Sequence, residues 1–589
     1  MRWVSVKKIL RGKMWILEHF HFGDLHINLL VAGLIGLVGG LACLVFREGI
    51  RGLQGLMTGH TGSLVETARD LPWWLRLLVP AFGGLAAGAI LHYGVRITRA
   101  QKTADYMEAV TLDDGALRFR HTLVKCASSL FSIASGGSLG REGPMVQLSA
   151  VAGALVGKVR KIPPPRLKLF IACGAAAGIA SAYNAPIAGA LFMAEIVHGS
   201  IAMETLGPML FASVVATLTT HQVLGFHTAY AIPSFALRTD WETPLFILVG
   251  LVCGGFAPLF IRLLNTTGDA FQKLRWPLPW TLGLGGLVVG LISIREPAVW
   301  GNGYSVVNSI LAGQWVWLAL LVLLAFKLLA TAATVGSGAV GGVFTPSLFV
   351  GAVLGYLVGD GLQTLFPGFV SSPANYALVG MGCFLSATTL APLMAVIMLF
   401  ELTLTYEAVL PLMLGCVTAY FTAQSLGSTS IYASHLRRKQ EESLRRLLSH
   451  NGTIADILRA DPPAVPPGAR FRQVAEMFLA STHRNLYVTD RKGIFLGAIS
   501  LDTIKPFLND PDFPPSVLAS DIHDDRFPRL TRDSTLAQAL EVFRTFPHER
   551  LPILEGDGSG KLVATLSKTD LMLALVDERP EGNPNIRIS

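Results

Sequence analysis

Charged residues are scarce in this sequence, and their scarcity limits what the protein can be. Only 15% of the 589 residues are charged, whereas 51% are hydrophobic and the mean hydropathy is +0.50. A soluble domain of ordinary composition has about a quarter charged residues. Most of the chain is therefore expected to lie within a membrane, with a smaller soluble part attached. The net charge of +8 does not imply nucleic acid binding, because much of the basic excess flanks apolar segments.

The sequence also lacks the residue patterns of common enzyme and metal sites. The soluble part, 452–577, contains no P-loop, no catalytic triad arrangement and no metal-ligand spacing. Nothing in the chain assembles a nucleophile and a base, so we expect neither an enzyme nor a metal site. His19, His21 and His26 favour a wet interfacial patch over a metal site. The cysteines all fall in apolar segments, which indicates small core residues rather than disulfides. They are Cys43, Cys126, Cys173, Cys253, Cys383 and Cys416.

Apolar segments follow one another almost continuously from residue 27 to about residue 424. No signal peptide is evident, because the first apolar run is long enough to span a membrane. Basic clusters beside the segments mark the cytoplasmic side by the positive-inside rule. The predicted divisions are a cytoplasmic lead-in (1–24), a membrane domain (25–436), a charged linker helix (437–451), two soluble units (452–510 and 517–577) and a disordered tail (578–589).

A charged, glycine-rich stretch at 136–144 lies between two apolar segments. Glu142 at membrane depth costs several kcal/mol unless it faces a cavity or a partner. Pro144 suits the first turn of a helix, so we predict a broken helix and a new helix start. The free N–H groups of such a helix start attract an anion, and Glu142 is itself a tethered anion. A packing kink with an Arg141–Glu142 pair is the alternative.

The same arrangement recurs in the second half of the chain. The stretch 336–346 is again rich in glycine and ends in a proline. Ala185 and Ala391 each precede a proline-started apolar helix that ends in glutamate, at Glu195 and Glu401 respectively, with equal spacing. This pattern indicates an internal duplication whose short, broken helices meet at a mid-membrane binding site. Close packing through small residues explains the glycines but not the paired proline-started breaks.

Two further features close the pattern-based analysis. Tyr432, near the end of the membrane part, is either an interfacial anchor or a hydroxyl donor to an anion, and the pattern alone favours the anchor. The soluble units repeat each other. Each has an amphipathic helix, a strand pair and a last helix that begins near Asp502 or Asp570.

Four motifs in order resemble the ClC chloride channels and chloride/proton antiporters. They are Gly140-Arg141-Glu142-Gly143-Pro144, Asn184-Ala185-Pro186, Gly342-Val343-Phe344-Thr345-Pro346 and Ser430-Ile431-Tyr432. The resemblance covers residues 27 to 436, and segments 105–109 and 190–197 are most similar to a bacterial ClcB-like branch. The two soluble units resemble a pair of CBS domains. The expected fold is thus an α-helical polytopic membrane protein with two repeated halves and broken helices, plus a cytoplasmic α/β CBS pair.

The resemblance implies a homodimer with one anion pathway in each subunit. Glu142 matches the gating glutamate of the family, and Tyr432 matches its inner-gate tyrosine. The residues that match the anion-binding segments are Gly140, Arg141, Gly143, Val343 and Phe344. Glu401 matches a buried glutamate at a helix end, to which we assign no catalytic role.

The first family signature, Gly-Ser-Gly-Ile-Pro, is absent. Its serine falls near 101–103, where Thr103 offers a hydroxyl and Lys102 a charge in its place. The alternative is that this segment lies away from the ion. Selectivity for chloride over fluoride or nitrate therefore stays open.

A second departure concerns proton coupling. Antiporters of the family carry an internal glutamate immediately after the position of Glu195, and Ile196 stands there. This favours a gated chloride channel that opens with protonation or voltage. A chloride/proton antiporter with another proton route, through the neighbouring Glu195 or water, is the alternative. A cation transporter is disfavoured because the apolar segments hold few carboxylates.

The remaining expectations concern ligands and location. No cofactor is required, but CBS pairs bind adenine nucleotides, and Asp502, Thr565, Ser567 and Asp570 are the candidate contacts. The alternative is that both aspartates only cap helices, and that the pair serves dimerisation or folding. The expected partners are chloride ions, the lipid bilayer and a second copy of the chain. We expect a bacterial inner membrane, with the N-terminus and the CBS pair in the cytoplasm.

Overall fold

The computed structural model describes most of the chain. Its residues are 24–98, 105–111, 117–160, 164–225, 230, 235–313, 315–432, 454–458, 462–480, 484–507, 514, 516–546 and 548–571. The predicted lead-in up to residue 23, the linker helix and the tail lie outside these ranges. The chain divides into two compact units, residues 1–436 and residues 437–589.

The regular elements described in the first unit are all helices. Its helices are α1 (Asp24–Thr58), α2 (Leu64–Asp70), α3 (Trp73–Thr98), α4 (Tyr106–Thr111), α5 (Phe119–Ala134), α6 (Glu142–Arg160), α7 (Pro164–Tyr183), α8 (Pro186–Phe192), α9 (Met203–Leu224), α10 (Phe246–Lys273), α11 (Leu278–Arg295), α12 (Tyr304–Leu311), α13 (Trp317–Gly336), α14 (Phe344–Leu365), α15 (Pro373–Thr389), α16 (Pro392–Thr403) and α17 (Val409–Ser425). Short 3₁₀ turns cover Asp240–Leu245, Pro297–Val299 and Tyr406–Ala408. Seven of the described helices are long and apolar enough to cross a membrane, which confirms the predicted class.

The two halves of this unit pack in the same way. In the first half α1 packs on α9 and α6 packs on α7; in the second half α10 packs on α17 and α14 packs on α15. Both pairs of broken helices begin with proline or with the residues just before one, where a missing N–H is harmless. The duplication inferred from the sequence is thus visible as matching helix pairs.

Helices α3 and α11 show that the halves run in opposite directions. They cross so closely that a Cβ at Gly84 would meet the Leu282 carbonyl, and a Cβ at Gly286 would meet the Pro80 carbonyl. Four residues further along α3, Gly88 faces Leu278, which lies four residues earlier in α11 than Leu282. The two helices are therefore antiparallel. Because α3 and α11 hold matching positions, their reciprocal, antiparallel contact indicates inverted repeats.

Helices α8 and α16 exchange caps in the same reciprocal manner. The Glu195 carboxylate accepts hydrogen bonds from the Leu393 and Met394 N–H groups at 3.2 and 2.7 Å. The Glu401 carboxylate accepts from Ile187 and Ala188 at 2.9 and 2.8 Å. A π-helix, Met193–His198, follows α8 and carries Glu195. Each glutamate therefore satisfies N–H groups that the other helix leaves unpaired at its start.

The second unit consists of two similar α/β halves. Its elements are β1 (Ala464–Val465), α18 (Phe471–Ala480), β2 (Asn485–Thr489), β3 (Phe495–Ser500), α19 (Leu501–Ile504), α20 (Ala519–Ile522), β4 (Leu530–Thr531), α21 (Leu536–Thr545), β5 (Arg550–Leu554) and β6 (Leu562–Ser567), with 3₁₀ turns at Ile454–Ile457 and Lys505–Phe507. Each three-stranded sheet has one parallel and one antiparallel pair, in the orders β1-β2-β3 and β4-β5-β6. The repeat predicted from the sequence is therefore confirmed.

The crossing of α3 and α11 makes a testable prediction. Gly286→Ala places a methyl group against a backbone carbonyl that cannot move away, and overpacking of this kind costs about 1–3 kcal/mol. Gly255→Ala is the matched control, because Gly255 also lies within a helix and its Cβ would meet nothing. We expect a lower thermal midpoint for purified Gly286→Ala and an unchanged or raised one for Gly255→Ala. Equal midpoints would contradict the close crossing.

Candidate anion site

The two glycine-rich breaks are joined directly to each other. Gly140 and Gly342 form a short antiparallel bridge, in which the Gly140 N–H donates to the Gly342 carbonyl at 2.7 Å and the Gly342 N–H donates back at 2.9 Å. Gly136 and Gly338, four residues before each, both have φ of +96°. That conformation favours glycine strongly, because it places a Cβ in a strained position. The bridge brings the starts of α6 and α14 to one point.

The carboxylate of Glu142 lies at this junction. Glu142 is 3% exposed and begins α6, but its oxygens face the first turn of α14. One oxygen accepts the Thr345 backbone N–H at 3.2 Å and the other accepts the Thr345 hydroxyl at 3.2 Å. An anion from one half of the molecule thus occupies the helix N-terminus of the other half, where N–H donors and the helix dipole favour negative charge.

The glycines of the bridge leave room for that carboxylate. A Cβ at Gly140 or at Gly342 would overlap the Glu142 carboxylate. Val343 caps α14 and Phe344 is its first residue, so both lie beside the same donors. Gly143 faces the backbone of Gly341. A mobile anion and the Glu142 carboxylate would therefore compete for one set of donors.

Aromatic side chains line the far side of the junction. The Tyr183 hydroxyl lies 2.9 Å from the Thr345 hydroxyl, and the Tyr183 ring packs on Phe344. Phe192 contacts Phe344 and also the Tyr432 ring, with centroids 6.5 and 5.5 Å apart. Tyr432 lies within electrostatic range of the Glu142 carboxylate. The structure therefore brings Tyr432 to the same cluster as Glu142.

Arg141 points elsewhere. Its guanidinium lies over the Tyr304 ring at 5.8 Å and lines two cavities. Both residues are described, and no ion pair joins Arg141 to Glu142. The packing pair considered as an alternative is therefore not formed.

The Lys327 side chain lies behind the first break and is buried. It is 1% exposed, and its amino group donates to the carbonyls of Val299 and Gly301 at 2.9 and 2.7 Å. The Gly301 N–H in turn donates to the Gly136 carbonyl at 3.2 Å. The Lys327 amino group therefore anchors the 299–301 segment, which in turn is hydrogen-bonded to the first break.

Some site residues were not anticipated, and two predicted ones lie outside the described residues. Thr345 and Tyr183 carry no charge, but Thr345 directly precedes the helix-starting Pro346, which was a usable signal. Lys102 and Thr103 fall in the range 99–104, which the structure does not describe. Tyr106 follows this range closely in the sequence. Its backbone N–H donates to the Gln147 side chain at 2.9 Å, and it lies within electrostatic range of Tyr432.

The candidate nucleotide contacts lie in the second unit. The Ser567 hydroxyl donates to the Asp570 carboxylate at 2.5 Å and accepts the Asp570 N–H at 2.9 Å. Ser500 accepts the Asp502 N–H at 3.3 Å, so serine caps the last helix in both repeats. Thr565 is buried on β6. Among the described residues no group of His, Cys, Asp and Glu is arranged to hold a metal ion.

These features define a helical membrane protein whose inverted repeats bring two helix N-termini to one candidate anion site. Residues 83–424 match the sequence profile of the family described as voltage gated chloride channel, and residues 454–510 and 519–577 match the CBS domain. The chain belongs to this ClC family of chloride channels and transporters, and it carries a CBS pair.

Relatives and solved structures agree with that assignment. A ClcB-like protein of Ralstonia nicotianae is 51% identical over 71% of this chain and 98% of its own length. A voltage-gated ClC-type chloride channel, ClcB, of Citrobacter koseri is 42% identical over 69% of this chain and 98% of its own length. A slow cyanobacterial Cl⁻/H⁺ antiporter structure is 26% identical with a TM-score of 0.62, covering 70% of this chain and 97% of its own. A eukaryotic CLC transporter, 18% identical with a TM-score of 0.58, covers 93% and 99% and shares the fold.

The Thr345 hydroxyl provides a test of the site. Thr345→Val removes one donor to the Glu142 carboxylate and keeps the side-chain shape, whereas Thr345→Ser keeps the donor. One hydrogen bond to a charged group contributes about 1.5 kcal/mol, or about one pH unit. Because the lost donor held the charged carboxylate in place, we expect the pH of half-maximal chloride flux to rise by about that amount in Thr345→Val. An unchanged midpoint, or an equal shift in Thr345→Ser, would contradict this geometry.

Proposed function

We propose that the protein conducts chloride across the membrane through a pathway gated by Glu142. The observation that carries this proposal is the position of the Glu142 carboxylate, which one half of the molecule supplies to the helix N-terminus of the other. Removing chloride from water is very costly, and oriented N–H donors recover part of that cost. In the charged state, Glu142 occupies these donors itself.

Protonation changes that competition. A neutral Glu142 side chain loses most of its attraction to the N–H donors and to the dipoles of α6 and α14. The side chain then leaves and an anion takes its place, so flux increases as pH falls. Voltage acts on the same charge, because moving a charge through the membrane field changes its energy by about 2.3 kcal/mol per 100 mV. Tyr432, on the far side of the junction, is the proposed inner contact of the anion.

The preference for anions follows from the groups that face the site. The Thr345 backbone N–H and the Thr345 hydroxyl donate to the Glu142 carboxylate and favour negative charge at that position. The choice among anions depends on the segment that contains Lys102 and Thr103. Transport of fluoride or nitrate is the alternative at that level.

Chloride/proton antiport is the second candidate function. The relationship to a cyanobacterial Cl⁻/H⁺ antiporter favours it. Two observations favour passive conduction instead: Ile196 packs against the apolar core, and both oxygens of the neighbouring Glu195 are engaged by the start of α16. The reversal potential of the purified protein in liposomes, under a chloride gradient with and without an opposing pH gradient, decides between them. A potential that follows chloride alone supports conduction, and one that shifts with pH in a fixed ratio supports antiport.

We further propose a homodimer in a bacterial inner membrane, with the N-terminus and the CBS pair in the cytoplasm. Ile187 and Leu393, at matching positions of α8 and α16, are each 44% exposed and present an apolar face at the paired helices. Cross-linking between cysteines introduced at these two positions tests the dimer. Protease protection of the CBS pair in inside-out and right-side-out vesicles tests its side of the membrane.

A nucleotide role for the CBS pair stands as a proposal beside a purely structural one. Asp502 and Asp570 begin the last helices of the two repeats, and both are already engaged with serine caps. Equilibrium binding of ATP to the full chain distinguishes the two. Binding that Asp570→Ala weakens and Asp557→Ala leaves unchanged supports the nucleotide role, since Asp557 lies on an exposed hairpin turn.

The gate itself makes the central prediction. Glu142→Ala removes the tethered anion, so we expect chloride flux in liposomes to persist and to lose most of its dependence on pH. Glu204→Ala, which removes an exposed glutamate at the start of α9, is the control and should keep the wild-type pH profile. An unchanged pH profile in Glu142→Ala would refute gating by this residue.

A further inference from the structure

A polar vestibule lies on the Arg141 side of the first break. Two cavities there, of about 370 and 550 Å³, share the lining residues Arg47, Arg51, Arg141 and Tyr304. Both are far larger than the space of one water molecule. Because Arg141 and Glu142 are consecutive, their Cα atoms are only about 3.8 Å apart. The vestibule therefore lies next to the proposed gate.

The vestibule holds more positive charge than its neighbours neutralise. Arg47 and Arg51 on α1 lie within electrostatic range of each other, and Arg47 also of Arg141. Arg51 is paired with Glu48 at 2.7 Å. Within the described part of the chain, neither Arg47 nor Arg141 forms an ion pair. Cationic groups gathered beside a low-dielectric wall raise the local concentration of anions.

Hydrogen-bond donors without partners line the same space. The Arg47 Nε is buried and has no hydrogen-bond partner among the described residues. The indole N–H of Trp300, a fully buried side chain, is also unpartnered there. Arg47 lines both cavities and Trp300 lines the first. Buried donors are almost always satisfied in folded proteins, so two unsatisfied ones beside a cavity indicate an acceptor ligand or water held there.

We propose that this vestibule is an anion-capture site, in which Arg47, Arg51 and Arg141 hold a partly hydrated halide before it reaches Glu142. This proposal rests on the proposed chloride transport. It adds a binding site that the anion would occupy before the Glu142 site. The cavity is wider than a bare anion, so the halide keeps part of its water and is held mainly by charge. Such a site raises the occupancy of the pathway at low chloride and leaves the maximal rate to the gate.

The test is the dependence of chloride flux on chloride concentration, measured in liposomes at low ionic strength. We expect Arg47→Gln and Arg51→Gln to raise the half-saturating chloride concentration by about threefold or more, with little change in maximal rate. Arg96→Gln, which removes an exposed arginine in the last turn of α3, should match wild type. The differences should fade when an inert organic salt raises the ionic strength, because salt screens exposed charges.

Glu48→Gln supplies a test whose expected result, a gain in apparent chloride affinity, would not arise from misfolding. It removes the carboxylate that pairs with Arg51, so the half-saturating chloride concentration should fall below that of wild type. The proposal is overturned if Arg47→Gln and Arg51→Gln saturate like wild type, or if Glu48→Gln shifts in the same direction as Arg51→Gln.

A direct binding measurement separates this proposal from the proposed function. Equilibrium dialysis of the purified protein against radioactive chloride at low ionic strength should show binding that Arg47→Gln weakens and Glu48→Gln strengthens. If wild type carried no chloride, the proposed function would fail while this binding still supported a halide site. If Arg47→Gln bound chloride as wild type does, the capture site would be wrong whatever the flux.

Discussion

The interaction on which the membrane unit depends is the one between an unhydrated negative charge and the unpaired N–H groups at the starts of α6 and α14. Moving an anion from water into an apolar medium costs more free energy than the net stability of a folded protein, unless hydrogen-bond donors replace its water. The Gly140–Gly342 bridge supplies them by holding two helix N-termini at one point. The glycines leave room for the charge, and the prolines begin the two helices at positions where a missing N–H is harmless.

The rest of the fold makes that meeting point rigid. The antiparallel crossing of α3 and α11 allows no extra atom at Gly84 or Gly286, so the two halves cannot slide against each other. The reciprocal caps of α8 and α16 fix the other side. The proposed gating requires only that the Glu142 side chain change position within this frame.

The local features of this arrangement could be predicted from the sequence, whereas its long-range contacts could not. Helix starts such as Pro186 and Pro392 were predictable, because proline and glycine act locally on the backbone. The place of Glu142 at a helix start followed from its neighbours for the same reason. The donor from Thr345 and the caps made by Glu195 and Glu401 did not follow, since they join residues about two hundred positions apart and depend on the direction in which the halves run.

The exchanged caps bear on how such a chain arises. Glu195 caps the start of α16, and Glu401 caps the start of α8 in the same way. Gly140 and Gly342 each donate a backbone hydrogen bond to the other. These contacts are those of an isologous interface, in which one patch meets its own copy across a two-fold axis. A single half would therefore contain both partners of each contact, and two separate copies could assemble through the same surfaces. Fusion of the copies frees the two halves to diverge, so that only one of them needs to carry the glutamate at its broken helix.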